Sequence, residues 1–350
     1  MNFLFKNKSI DGILSILPKK TVHFDDEIKN YSFTKEQSLK LKKIMGYNKR
    51  RIATNESSLG LCCSGLKYLL KKNLVNIDKI DAIIVVTQTP EYIIPPTSNL
   101  IQSKFKFKKN IICLDINQGC AGYIIGLFQS FMLLNQNPIS KVLLFNVDTL
   151  SKKVSKYDRN SNPIIGDAAS ITLLSNSSVK KKIYFSINMY PNNNLALHIP
   201  AGGSKIPISK KTFILKKDSQ GNMRNLNNLI MQGDKILNFI QTEVPKVILE
   251  NIKFSGLKMN KIEKFIFHQP NKFVLNKLIE NLNIPLSKTP TNIVERFGNS
   301  SGATIPLTIT FNLKQIKKKP MKICMSGFGS GLSAASVILD LGKLKFCKII

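Results

Sequence analysis

Asp115-Ile116-Asn117-Gln118-Gly119-Cys120-Ala121-Gly122-Tyr123 lies between the apolar run Ile111-Ile112-Cys113-Leu114 and a helix-like stretch from Ile124 to Leu134. This pattern reads as a buried strand that ends in a small-residue turn and opens a helix, the connection of an α/β fold. It puts the Cys120 thiol at a helix N-terminus, where unpaired backbone N–H groups and the helix dipole favour a thiolate. Gly119, Ala121 and Gly122 leave room for a substrate carbonyl. The stretch therefore predicts a nucleophilic cysteine and acyl-thioester chemistry. Most intracellular cysteines are inert core residues, and the others fit that description better. Cys113 and Cys324 fall inside strand-like runs, Cys62 and Cys63 inside a helical segment, and Cys347 in the tail.

The chain has 350 residues, 43% of them hydrophobic, enough for one large core or two smaller ones. Its cysteines show neither regular spacing nor a secretory context, which predicts a reducing, cytoplasmic setting and no disulfide framework. The apolar N-terminal stretch around Phe3, Leu4 and Phe5 is too short for a secretory leader, and no run is long enough to span a membrane. A formal charge of +31 raises nucleic-acid binding as an idea. The lysines are scattered, however, from Lys19-Lys20 and Lys42-Lys43 to Lys210-Lys211 and Lys317 to Lys319, and no recognised binding module accompanies them. Nucleic acid is thus not an expected partner, whereas an acidic protein would be attracted. No metal site is expected.

Short β-type runs alternate with helical stretches. In the first half, strands are expected at 82–88, 111–117, 142–147 and 169–174, with helices at 58–72 and 121–134. In the second, strands are expected at 264–268, 291–294, 322–326 and 335–341, with helices at 229–247, 272–281 and 301–312. The halves look alike. Gly119-Cys120-Ala121-Gly122 opens one helix, and Asn299-Ser300-Ser301-Gly302 opens another 180 positions later. Two similar halves, 1–178 and 179–350, imply a pseudo-twofold that brings two helix N-termini to a shared centre.

A catalytic thiol commonly works with an imidazole, and the chain has three histidines. His23 lies in a charged N-terminal stretch and His198 before Ala201-Gly202-Gly203. His268 ends the apolar run Phe265-Ile266-Phe267, at the carboxyl end of a strand, where open α/β sheets keep their chemistry. Asn299 suits a helix cap, and its amide could also face the cleft. Ser326-Gly327-Phe328-Gly329-Ser330-Gly331 is a glycine-rich loop between two strands. It matches no phosphate-binding pattern and reads better as backbone N–H groups brought close to a reacting oxygen.

Asn117-Gln118-Gly119-Cys120-Ala121-Gly122, His268-Gln269-Pro270-Asn271, Gly298-Asn299-Ser300-Ser301-Gly302-Ala303 and Gly327-Phe328-Gly329-Ser330-Gly331, in that order, resemble the β-ketoacyl-[acyl carrier protein] synthase III family. The resemblance runs from Ile10 to about Leu341. It implies a thiolase-like fold, two duplicated α/β halves in a five-layered αβαβα core, and a homodimer. It also implies Cys120 as the acyl-accepting nucleophile, with His268 and Asn299 completing the catalytic set. The oxyanion would be held by the backbone of Cys120 and Ser330, with Gly329, Gly331 and Asn271 on the substrate side. An acyl group loaded on Cys120 would condense with a malonyl thioester, losing CO2. No cofactor is implied; acyl-CoA or acyl carrier protein and malonyl carrier protein are the substrates.

The pattern also departs from that family. The chain has no tryptophan, and the tryptophan and arginine that grip the coenzyme A adenine in the family fall near Lys40 and Ile44. A carrier-protein donor gains plausibility accordingly. Ser330 stands where the family has glycine, and Phe273 where it often has a docking arginine. The competing expectation keeps the acyl-cysteine and moves its acyl group to an amine or hydroxyl without condensation. A papain-type protease is disfavoured because Cys120 is mid-chain and follows a strand.

Overall fold

The computed structural model describes residues 1–313, 316 and 320–350; the basic run Lys317 to Lys319 lies outside them. Two sheets form its frame. The first orders its strands Phe346–Ile349, Lys8–Ile16, Ala168–Asn176, Lys141–Asp148, Ala82–Val86 and Ile112–Ile116. The second orders them Asn2–Lys6, Lys182–Met189, Ser333–Leu341, Met321–Gly329 and Lys264–Phe267.

Within each sheet, four strands repeat one topology. Lys8–Ile16 and Lys182–Met189 each pair antiparallel with the next strand, that strand pairs antiparallel with its neighbour, and the fourth joins parallel. The chain's two ends are traded between the sheets: Asn2–Lys6 adds to the second and Phe346–Ile349 to the first. A division of the sequence near residue 178 therefore leaves one terminal strand of each half in the other half's sheet. Ile112–Ile116 has no counterpart, because the strand expected at 291–294 is absent. There Pro290 lacks a donor, its carbonyl takes the Gln269 side-chain amide at 3.0 Å, and Asn292 pairs with Asn312 through side chains. Pro290 thus offers a ladder no donor, and a side chain already takes its carbonyl.

Burial alternates along the strands as their two-residue period requires. Ala82, Ile84 and Val86 face the central core, and Ile83 and Val85 face the outer one. Helices Gly122–Leu133 and Thr304–Asn312 lie between the sheets, each packed on strands of both. Gly122–Leu133 carries apolar residues nearly all round, as a helix buried on every side must. Thr304–Asn312 is buried from Thr304 to Thr310, and Thr308 and Thr310 satisfy their hydroxyls on carbonyls four residues back, at 2.7 and 3.0 Å. Ser58–Lys71 and Thr97–Phe105 cover the outer face of the first sheet; Val244–Ser255 and Lys272–Asn281 cover that of the second. The result is the five-layered αβαβα, thiolase-like arrangement. The single helix expected at 229–247 is two, Gly233–Thr242 and Val244–Ser255, with Pro245 in the first turn of the second.

Candidate active site

Cys120 sits in the turn between the strand Ile112–Ile116 and the helix Gly122–Leu133, closed by the Gly122 N–H donating to the Gly119 carbonyl at 2.7 Å. The end of the strand Met321–Gly329 presses against it. A Cβ on Gly329 would lie 2.7 Å from the Cys120 Cβ and 3.3 Å from its Sγ, and one on Gly327 would lie 2.8 Å from the Cys120 carbonyl oxygen. Only glycine lets the second half's strand approach the nucleophile this closely. Burial pushes the Cys120 thiol up to about 12, and the nearby Asp148 carboxylate pushes the same way against the pull of the Ser301 hydroxyl and the residue's own N–H. The resting group is a thiol. The expectation of a dipole-held thiolate therefore meets an opposing desolvation cost at this site.

His268 follows the strand Lys264–Phe267, its N–H donating to the Ser326 carbonyl at 2.8 Å. The side chain is buried. Its Nδ1 lies 2.7 Å from Thr304 Oγ1, and its ring meets Phe328 edge-on at 5.5 Å. Burial pushes its pKa down to about 3, opposed by the Ser301 backbone carbonyl, so the imidazole is neutral.

Asn299 is held by its backbone to the other half, its N–H donating to the Ile164 carbonyl at 2.7 Å and its carbonyl accepting from Gly166 at 3.0 Å. Arg50 braces that loop by donating to the Ile165 carbonyl at 3.1 Å while pairing with Glu27 at 2.6 Å. The Asn299 Oδ1 accepts from the Ser301 N–H at 2.9 Å. Its Nδ2 makes no hydrogen bond to the described residues, which leaves two donors facing the cavity it lines. Ser301 adjoins this centre: its N–H donates to the Asn299 Oδ1 and its carbonyl opposes the fall of the His268 pKa, while its own hydroxyl is buried without a hydrogen-bond partner among the described residues.

These groups meet at one end of a cavity of about 1020 Å³ that Cys120, Asn299, Ser301 and Ser330 line, with apolar walls that include Met45 and Leu237. His268 stands behind this wall. Neither the Cys120 nor the Ser330 backbone N–H donates to another residue's oxygen among the described residues. The remaining expected residues are placed differently. Asn271 lines the cavity, but its Oδ1 caps the helix Lys272–Asn281 through the Val274 N–H at 2.9 Å. Gly329 adjoins the thiol, whereas Gly331 is exposed and faces Ser333. His198 lies on the cavity wall and His23 on an exposed strand end. Lys40 and Ile44 are both exposed.

Sequence reasoning missed Gln88, Asp148, Ser301 and Thr304. The Gln88 Nε2 donates to Ser330 Oγ at 3.1 Å, beside the nucleophile's turn. Asp148 ends the strand Lys141–Asp148, and Gln88 lies two residues beyond the end of Ala82–Val86. Both occupy the strand carboxyl ends where the α/β rule would have directed attention.

Family descriptions of 3-oxoacyl-[acyl-carrier-protein] synthase III match residues 114–191, and those of its C-terminal part match residues 252–341. A candidate 3-oxoacyl-[acyl-carrier-protein] synthase 3 of Campylobacter jejuni is 32% identical over 98% of this chain and 97% of its own. A β-ketoacyl-[acyl-carrier-protein] synthase III of Phocaeicola vulgatus is 30% identical over 85% and 86%. The crystal structure of a 3-oxoacyl-(acyl-carrier protein) synthase from Burkholderia xenovorans superposes with a TM-score of 0.92 at 32% identity, covering 100% of this chain and 98% of that one. With the duplicated sheets and the cysteine-bearing turn at their centre, these likenesses show that the chain belongs to the 3-oxoacyl-[acyl-carrier-protein] synthase III family, thiolase-like condensing enzymes.

Proposed function

We propose that the enzyme is a decarboxylating β-ketoacyl synthase that works through Cys120, His268 and Asn299, the half 1–178 bringing the nucleophile and the half 179–350 the other two. The observation that carries this reading is the convergence, on one cavity wall, of a thiol, the N–H groups of Cys120 and Ser330, which donate to no other residue's oxygen among the described residues, and the Asn299 amide nitrogen. Cys120 attacks an acyl thioester, and the two N–H groups receive the tetrahedral oxyanion. The acyl-cysteine then meets a malonyl thioester. Loss of CO2 leaves an enolate whose oxygen takes hydrogen bonds from the Asn299 Nδ2 and from His268. A neutral His268 suits this role: the Thr304 hydroxyl donates to the Ser301 carbonyl at 3.0 Å and lies 2.7 Å from Nδ1, and when it turns its proton from that carbonyl to Nδ1, the other ring nitrogen carries the hydrogen to donate. The enolate carbon attacks the acyl-cysteine and releases the β-ketoacyl thioester. The reaction needs no cofactor, because both substrates arrive activated as thioesters.

The cavity volume and apolar walls suit a thioester arm with an acyl chain. Lys40 and Ile44 offer an adenine ring nothing to stack on, which favours an acyl carrier protein as donor, and the basic surface suits an acidic carrier. We assign the enzyme to the cytoplasm, where its cysteines stay reduced; among the described residues no helix is long and apolar enough to cross a membrane. We further propose a homodimer. Ile112–Ile116 is an open sheet edge, and Ile93 and Ile94 are 87% and 82% exposed, surfaces that a second copy would cover. Sedimentation at micromolar protein concentration tests this; a monomer would refute it. For the reaction, the enzyme is incubated with a panel of acyl thioesters and labelled malonyl carrier protein. Release of CO2 with a two-carbon extension is the expected result, and acyl transfer to an amine or hydroxyl without CO2 would overturn it.

A further inference from the structure

Gln88 follows the strand Ala82–Val86, and its backbone is fixed. The Gln88 N–H donates to Asp148 Oδ1 at 2.7 Å, and the same oxygen takes the Thr89 hydroxyl at 3.2 Å and the Thr87 hydroxyl at 3.3 Å. Asp148 is buried, so it ties this loop together away from water. The Gln88 side chain, thus anchored, crosses to the other half of the molecule, where its Nε2 donates to Ser330 Oγ at 3.1 Å. The pair stands over Gly119, the residue before the nucleophile. A Cβ there would collide with Gln88 Oε1 and lie 2.8 Å from Ser330 Oγ. Only a bare α-carbon leaves room for this bridge.

Gln88 and Ser330 both line the cavity, as Cys120 does. Their hydrogen-bonding capacity is only partly used. Ser330 Oγ accepts from Gln88 but donates its own hydrogen to none of the described residues, and Gln88 Oε1 accepts from none of them. The wall beside the nucleophile therefore offers a hydroxyl donor and an amide acceptor side by side. Leu150, Leu197, Ile199 and Leu237 line the same cavity with hydrocarbon. A few convergent polar groups in an otherwise apolar pocket are what orient and select a ligand.

We propose that Gln88 and Ser330 form a subsite for a hydroxyl group on the acyl chain close to its carbonyl, so that the enzyme's donor is a hydroxyacyl thioester. The proposal rests on the acyl-cysteine reaction above and names its substrate class. With the acyl oxygen held by the Ser330 N–H, the side chain of the same residue faces the first carbons of the acyl group. A hydroxyl on C2 or C3 gives its hydrogen to Gln88 Oε1 and accepts that of Ser330 Oγ, so one group satisfies both. A methylene there strips the two polar atoms of water and returns nothing. A keto group only accepts, which leaves Gln88 Oε1 unpaired. A carboxylate sets its negative charge against the partial charge of that oxygen.

The test is the rate of acyl-Cys120 formation, read by mass spectrometry with peptide mapping, from pantetheine thioesters of butyryl, 2-hydroxybutyryl, 3-hydroxybutyryl and 3-oxobutyryl groups. Each hydroxy compound is supplied as both enantiomers. The wild type is expected to load a hydroxybutyryl group at least about tenfold faster than butyryl, and faster than 3-oxobutyryl, because a site built around a hydroxyl rejects the analogue lacking it. In Gln88→Leu and in Ser330→Ala that preference falls to within about twofold of unity, chiefly through slower hydroxybutyryl loading. Each ratio is taken within one protein, so a partly folded variant does not distort it. A wild type that loads butyryl as fast as every hydroxybutyryl group, or a preference that survives in both variants, overturns the subsite and leaves the acyl-cysteine reaction standing. If no thioester leaves an adduct on Cys120, that reaction falls and the subsite with it.

Discussion

Ala121 and Ala303 hold nearly the same backbone, φ −78°, ψ −9° and φ −78°, ψ −8°, each just ahead of a helix buried between the sheets. They are 182 residues apart, so Cys120 corresponds to Gly302 and Asn117 to Asn299. The reading by sequence alone, at 180, had matched Cys120 with Ser300. The fold thus builds one turn twice and equips it differently. The first copy carries a thiol where the second carries a glycine. A Cβ on Gly302 would lie 3.1 Å from the Gly119 carbonyl and 3.2 Å from Asn146 Nδ2, so the second turn stays bare to fit against the first. The lesson is a division of labour: one turn supplies the nucleophile, and the other supplies Asn299, Ser301 and the Thr304 that touches His268.

The largest effect should come from the first turn. Cys120→Ala is expected to reduce acyl-enzyme formation, seen by intact mass, to background, and an adduct that persists at another residue would break the comparison. On the second side, His268→Ala and Asn299→Ala should each slow condensation by about 10²–10³-fold, the size of a lost oxyanion donor, with much smaller effects on loading. Separate measurement of the two half-reactions decides; equal losses in both would merge the roles assigned to the two turns. Smaller still are changes at their contact. Gly329→Ala is expected to destabilise the protein by roughly 1–3 kcal/mol, as overpacking does, and to slow loading, with Gly302→Ala milder at its longer contact distance. Thermal melts with loading rates test both, and an unshifted melt for Gly329→Ala would show that the two halves do not press together there.

A further effect is one of pH. Asp148 has a native pKa of about 6 against an ordinary 3.8, so the native state binds its proton more tightly than the unfolded chain does. Stability therefore falls as pH rises from about 3.8 to 6 and remains lower above it. Asp148→Asn should raise the melting temperature at pH 7, where the buried charge costs on the order of 3 kcal/mol of stability, and leave it nearly unchanged at pH 4. His268 acts oppositely: its native pKa of about 3 lies below the ordinary 6.5, and it withdraws stability as pH falls through that interval. A variant less stable than wild type at pH 7 would show that the hydrogen bonds of Asp148 outweigh the cost of its charge.

Much of this was legible in the chain. The strands around 82–88, 111–117, 142–147 and 169–174 are apolar runs bounded by turns, and each forms close to its expected limits. The strand Lys8–Ile16, its counterpart Lys182–Met189 in the other sheet and the traded ends were not read. Their sequences mix lysine, serine and asparagine with apolar residues, and their pairing joins residues far apart along the chain. The glycine-rich loop was read as a close approach, and Gly329 does approach, but toward the thiol itself.

The sequence by itself determined the order of the motifs, the repeated α/β pattern and the turn that presents Cys120, because each is carried by residues adjacent in the chain. Only the tertiary structure decided the protonation of the site, the engagement of the Asn299 oxygen by the Ser301 N–H that leaves its nitrogen free, and the burial of Asp148 among neutral donors. Desolvation and hydrogen bonding sum over every neighbour in space, and at this centre those neighbours come from strands and turns more than a hundred residues apart.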